Sequence, residues 1–211
     1  MGSRPRATLS GMIELDTVQV RVLGCLLEKE RTVPDSYPMT LNGLVTACNQ
    51  SSNRYPVVSY DAATVQRTLD GLKDAGLVRF VHPSHGERTT KFRQVIDERL
   101  ALLPTEAAVL SVLFVRGPQT PAEIRTRSER LHAFDTVEEV EAALDGLARR
   151  DDPLVRQLDK RWTHVFEQVE PITGDAPAAS GRAGALEERI AALEAKVEHL
   201  FSLLGEPPPT V

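Results

Sequence analysis

The chain has 211 residues, an apolar fraction of 41% and only two cysteines. That length allows one large or two small domains with a real hydrophobic core, and the cysteine count argues against a disulfide framework. Formal charge is −5, but residues 1–99 hold 13 Lys/Arg against 11 Asp/Glu while residues 100–211 hold 12 against 19. The two halves are therefore expected to meet different partners. No stretch approaches the ~20 apolar residues of a membrane span. The first residues, with Arg4 and Arg6, contain no continuous apolar run, so the expectation is a cytoplasmic protein without a membrane partner.

Residues 1–14 read as a flexible N-terminus. Between residues 15 and 30, Leu15, Val18, Val22, Cys25 and Leu26 gather on one side of a helix. Asp16 is placed to cap its amides, Gln19 to complete a capping-box pair, and Leu15 to staple against Val20. Pro34, Asp35, Ser36 and Pro38 make a loop. Thr40 then caps a short second helix with Leu41, Leu44, Val45 and Cys48 inward. A polar turn over residues 49–60 leads to Asp61, which caps a third helix with Val65, Leu69 and Leu72 as its core stripe. Gly76 ends that helix in the left-handed conformation. Residues 77–81 and 90–95 read as strands around the turn Pro83-Ser84-His85-Gly86. Three helices and a hairpin is the winged-helix order.

The plan is then written a second time. Val109, Val112 and Leu113 occupy the places of Val22, Cys25 and Leu26, and Thr120-Pro121-Ala122-Glu123-Ile124 follows Thr40 to Leu44. Leu144-Asp145-Gly146-Leu147 repeats Leu69-Asp70-Gly71-Leu72 letter for letter. Asp151-Asp152-Pro153 breaks the chain before two strands, residues 154–158 and 162–168, with a short wing at Asp159-Lys160-Arg161. The fold class expected is mainly α with small β-hairpins (α+β): two tandem winged-helix domains, 15–99 and 100–170, plus a C-terminal coiled-coil helix.

A linker rich in Pro, Ala, Gly and Ser covers residues 171–184. Over residues 185–205, Leu186, Ile190, Leu193, Val197, Leu200 and Leu204 follow alternating spacings of four and three. β-Branched a positions (Ile190, Val197) with leucine d positions (Leu186, Leu193, Leu200) favour a parallel pair, and Arg189 can face Glu194 of a second chain. A homodimer is expected from this helix; the alternative is that its apolar face folds back on its own domains.

No phosphate loop, dinucleotide glycine pattern, HExxH or nucleophile elbow occurs with supporting context, so the chain is read as a binding protein rather than an enzyme, without cofactor. Cys25 and Cys48 lie in apolar helical patterns and read as buried thiols. His82, His85, His132, His164 and His199 are scattered, which gives no metal set. DNA is the partner expected for the first domain. Arg79, Arg88, Lys91 and Arg93 around its wing suit phosphates. Asn53 and Arg54, in the turn before the third helix, are placed to reach phosphate or base edges; the alternative is that residues 49–53 simply shape the turn. The third helix turns Ala63, Arg67, Asp70 and Asp74 outward, Arg67 alone being basic. In the second copy that line is Glu138, Ala142, Asp145 and Arg149, with Glu139 and Glu141 alongside, an acidic face suited to a protein partner.

The runs Leu23-Gly24-Cys25-Leu26-Leu27-Glu28-Lys29-Glu30, Pro34-Asp35-Ser36-Tyr37-Pro38 and Ala47-Cys48-Asn49-Gln50-Ser51-Ser52-Asn53-Arg54 resemble the bacterial YceH family of uncharacterised proteins. The resemblance covers residues 15–169. It implies a tandem winged-helix chain, often with a coiled tail, and carries no established activity. Two functions follow as expectations: a dimeric DNA-binding transcriptional regulator, or a tandem winged-helix scaffold for protein partners without specific DNA binding.

Overall fold

In the computed structural model of the chain, residues 13–82 and 89–167 are described. They belong to a compact unit, Met1–Gln168; the C-terminal unit, Val169–Val211, lies outside the described residues, and with it the linker and all six heptad positions from Leu186 to Leu204. The described part is helical with two small antiparallel sheets.

Helix α1 (Thr17–Thr32) starts where its cap is strongest: the Gln19 amide donates to Asp16 Oδ1 at 2.8 Å and the Asp16 amide to Gln19 Oε1 at 2.9 Å, two otherwise orphaned donors satisfied reciprocally. A 3-10 turn, Pro34–Ser36, leads to a two-residue strand β1 (Met39–Thr40). Thr40 caps α2 (Leu41–Cys48), and Asp61 caps α3 (Ala62–Asp74) by accepting from the Thr64 amide at 2.7 Å. Val65, Leu69 and Leu72 are fully buried, as the stripe requires. Gly76 takes φ +71°, a backbone open to glycine without a Cβ penalty. Strands β2 (Val78–Val81) and β3 (Lys91–Gln94) pair antiparallel with Phe80 opposite Phe92, and β1 adds to the far edge, in the order β1-β3-β2.

A five-residue helix, α4 (Ile96–Leu100), joins the halves and has no counterpart in the sequence reading. Its cap is the buried Gln94, whose Oε1 accepts from the Ile96 amide at 2.8 Å while its Nε2 donates to Glu30 at 2.6 Å. The second repeat follows as α5 (Pro104–Arg116), α6 (Pro121–Ser128), α7 (Val137–Ala148) and the hairpin β4 (Val155–Leu158) and β5 (Arg161–His164). The strand expected over residues 162–168 is thus shorter and begins one residue earlier. Where the first repeat has β1, the second has a lone antiparallel bridge between Gln119 and Trp162. Equivalence extends to single contacts. A Cβ on Gly71 of α3 would meet Gln19, and one on Gly146 of α7 would meet Glu106. Gln19 and Glu106 hold the same third position of α1 and α5, each accepting from the amide that opens its helix.

The repeats are not beads on a string. Residues Val20 to Leu27 of α1 and Glu106 to Val115 of α5 are buried without interruption, the signature of helices covered on all sides. One side of α1 faces α2 and α3, and another lies along α5. Gly24 makes that approach possible, since a Cβ there would stand 2.7 Å from Phe114 Cβ and 2.8 Å from Val115 Cγ1. Backbone bonds from Leu15 to Phe166 and from Tyr55 to Val115, both 2.8 Å, tie the repeats at two further points. A single apolar cluster runs through both.

Candidate nucleic-acid interface

Back-to-back packing of α1 on α5 leaves both third helices open to solvent on one side. On α3, Ala63, Arg67, Asp70, Lys73 and Asp74 are exposed. Arg67 bonds only loosely to Thr64 Oγ1, at 3.5 Å. The C-terminal end of α3 meets the sheet through Lys73, whose Nζ lies 4.6 Å above the Phe80 ring, and Phe80 in turn packs edge-on against Phe92 at 4.8 Å. Helix and hairpin are therefore in contact at this end.

On that hairpin, Arg79 and Arg93 both reach the Glu98 carboxylate of α4, Arg79 at 3.5 Å. All three side chains are more than a third exposed, and such surface pairs are worth about 0–1 kcal/mol. Glu98 therefore holds neither arginine tightly. Lys91 is half-buried on β3 opposite Val81. Arg88 and the wing tip, residues 83–88, lie outside the described residues.

Arg54 is a correction to the sequence reading. Its side chain is wholly buried, with Nη1 2.6 Å from Glu28 Oε2, Nη2 3.2 Å from Glu28 Oε1 and Nε donating to the Ala47 carbonyl at 3.0 Å. Four of its five N–H donors are spent on Glu28 and on the Asn53 and Ala47 carbonyls, and the side chain has no exposed surface from which to reach a phosphate or a base, because Arg54 fastens the end of α2 to α1. Arg21, also buried, does the same for the next stretch by donating to the Pro56 carbonyl at 2.7 Å. Burial raises the Glu28 carboxyl, but the hydrogen bonds and charges of Arg54 and Lys29 more than offset this and hold it below its ordinary value. Asn53 takes φ +60°, which asparagine tolerates, and its Oδ1 accepts from Arg116 of α5. The turn thus splits: Arg54 points into the core, and Asn53 faces the second repeat.

What the residue pattern missed is the cleft those bonds border. Two adjoining recesses of about 460 and 470 Å³ share Asn53, Arg116 and Arg127 and draw further walls from α1, the 50–55 turn, α6 and the start of β5. The only signal in the sequence was the density of arginines after residue 115, which helical periodicity does not interpret. Cys25 and Cys48 are free and buried, and no group of three or more potential metal ligands occurs among the described residues. No helix among them is long and apolar enough to cross a membrane.

On α7, Glu138, Glu139 and Glu141 are exposed, as is Arg149 at its C-terminal cap, which pairs with Asp145 at 2.8 Å. The face is acidic as read from the sequence.

A helical chain with two small antiparallel sheets, folded from two copies of one motif, is the class these features define. Residues 15–163 match a family described as protein of unknown function, DUF480. Over 200 residues the chain is 42% identical to a UPF0502 protein of Geobacter sulfurreducens, spanning 89% of this chain and 90% of that one. It is 44% identical over 191 residues to a UPF0502 protein of Opitutus terrae, spanning 85% and 83%. With the UPF0502 protein YceH of Escherichia fergusonii it shares 38% identity over 216 residues, 92% and 99% of the two chains. The chain belongs to this DUF480/UPF0502 family, which includes the YceH proteins.

Proposed function

We propose that this chain is a DNA-binding protein of two winged-helix repeats, a transcriptional regulator that contacts DNA through its first repeat. The element order supports the winged-helix reading: helix, short strand, two helices and a hairpin, repeated with the Gln119–Trp162 bridge in place of the short strand. One observation carries the DNA reading. Helix α3, with Arg67 exposed at its middle, is left open by the α1–α5 packing and stands beside a hairpin bearing Arg79, Lys91 and Arg93. A helix beside basic strands suits a groove flanked by phosphates. The reading includes no catalysis of its own and a cytoplasmic place. It also includes pairing of two chains through the heptads from Leu186 to Leu204, which rests on their spacing alone.

A protein partner is the second reading, favoured by the exposed Glu138, Glu139 and Glu141 on α7. That face repels phosphate and attracts a basic surface.

Binding to a pool of genomic duplex fragments, measured across a range of salt, tests the first reading. Four contacts from Arg67, Arg79, Lys91 and Arg93 give a slope of log K against log salt of about −3 to −4. No retention of any fragment at low salt overturns it.

A further inference from the structure

The cleft between the repeats is rich in positive charge although the chain as a whole carries −5. Lys29, Arg54, Arg116, Arg127, Arg130 and Arg161 line its two recesses against Glu28, Glu123 and Glu129, an excess of three cations. Two of the three acids are already shared. Glu28 is held by Arg54 and Lys29. Glu123 lies 3.4 Å from Arg127 and 3.3 Å from Arg161, and also accepts from the Thr120 amide at 2.9 Å. Arg116 hydrogen-bonds the neutral Asn53 carboxamide, and Arg130 reaches only a carbonyl, that of Thr32, at 3.5 Å. Burial, and then the charges of Arg127 and Arg54, push the Arg116 guanidinium below its ordinary value. Cations gathered in this way repel one another until an anion joins them. In the same recess Gln119 is almost fully buried, and its Oε1 has no hydrogen-bond partner. Finally, Tyr55, a residue 61% exposed, forms one wall, in a chain where aromatic residues make up 5% and most of the rings packed in the core are shielded. An aromatic face next to arginines is the pairing that takes a base and its phosphate.

We propose that the inter-repeat cleft binds a free nucleoside phosphate, with its phosphates on Arg116, Arg127 and Arg161 and its base on Tyr55. Recesses of this volume are of the size that small ligands fill. Planar guanidinium groups match phosphate oxygens two at a time. The site is separate from the α3 surface, so a ligand held here touches both repeats while leaving Arg67 free.

The test is equilibrium binding of ATP carrying a fluorescent methylanthraniloyl group to the full chain, with inorganic pyrophosphate, unlabelled ATP, a single-stranded oligonucleotide and a duplex as competitors. Saturable binding is expected, displaced by unlabelled ATP and pyrophosphate and not by either nucleic acid at equal phosphate concentration. Arg127→Glu should abolish binding of the probe, with retained folding checked by circular dichroism. Tyr55→Ala, at an exposed position, should weaken the nucleotide about tenfold or more while leaving pyrophosphate competition unchanged. Absence of saturable binding by the folded wild-type chain overturns the proposal, as does a probe displaced by nucleic acid and not by ATP. Equal affinity of wild type and Tyr55→Ala for the nucleotide removes the base from the site and overturns the nucleoside assignment. Arg67→Glu is expected to keep full nucleotide binding, which separates failure here from failure of the DNA reading.

Discussion

Arg54 and Glu28 meet in two contacts, 2.6 and 3.2 Å, with the arginine side chain wholly withdrawn from solvent. The pair closes the turn after α2 onto α1. Removing one partner of such a pair leaves a buried charge uncompensated, at a cost of about 3–5 kcal/mol. Arg54→Ala is expected to lose that much in urea unfolding. Arg54→Lys should also be clearly destabilised, because one ammonium cannot reproduce the fork to Glu28 and the bond to the Ala47 carbonyl together. A full-stability Arg54→Ala variant would return this residue to the surface.

Glu28 also sets an acid limit. Its carboxyl is held below the ordinary range in the folded chain, so its contribution is complete above the unfolded value of about pH 4.3. It is lost as pH falls through the lower folded value. Glu28→Gln should be less stable at neutral pH, and its stability should fall less steeply on acidification than that of the wild type.

His164 acts in a higher window. It is buried, packed edge-on against Phe114 at 5.1 Å, and its Nδ1 has no partner. Burial pushes its imidazole below the ordinary 6.5, opposed in part by Glu167. The unfolded chain takes up the proton near pH 6.5 while the folded one resists it, so stability is present above that pH and declines below it. Melting temperatures between about pH 7 and pH 5 should fall for the wild type and much less for His164→Phe. Parallel curves would contradict the assignment.

Two glycines in helices should respond oppositely to alanine. At Gly24 the new Cβ runs into Phe114 Cβ at 2.7 Å, a backbone-anchored atom of the opposite helix, and overpacking of this kind costs about 1–3 kcal/mol. At Gly71 the Cβ meets only the Gln19 amide group at 3.5 Å, so helix propensity prevails and Gly71→Ala should gain up to about 1 kcal/mol. Chemical denaturation of the two variants checks both signs.

Features fixed by neighbours in sequence were legible before the fold was known. The caps Asp16, Thr40, Asp61 and Thr120 act within three residues, and the Leu-Asp-Gly-Leu repeat carries its own core pattern on α3 and α7. Features fixed by distant partners were not. Helix α1 reads as one-sided because its second buried face exists only against α5. Arg54 reads as a surface cation because the carboxylate that claims it is 26 positions away. Helix α4 is too short for periodicity, and its cap is a glutamine in the preceding strand. The cleft joins residues 28 to 161, which no local pattern connects.

The heptads from Leu186 to Leu204 predict a dimer in the full chain. Leu193→Asp combined with Leu200→Asp should halve the mass seen by light scattering. A dimer unchanged by both substitutions would contradict pairing through this segment.

The central claim is that α3, and not α7, faces DNA. It is tested most directly by reversing one exposed arginine on each and measuring affinity for genomic duplex fragments at low salt. Arg67→Glu on α3 is predicted to weaken binding about tenfold or more, and Arg149→Glu at the C-terminal cap of α7 to leave it unchanged. Equal affinity of both variants and the wild type, or a loss confined to Arg149→Glu, would contradict the account.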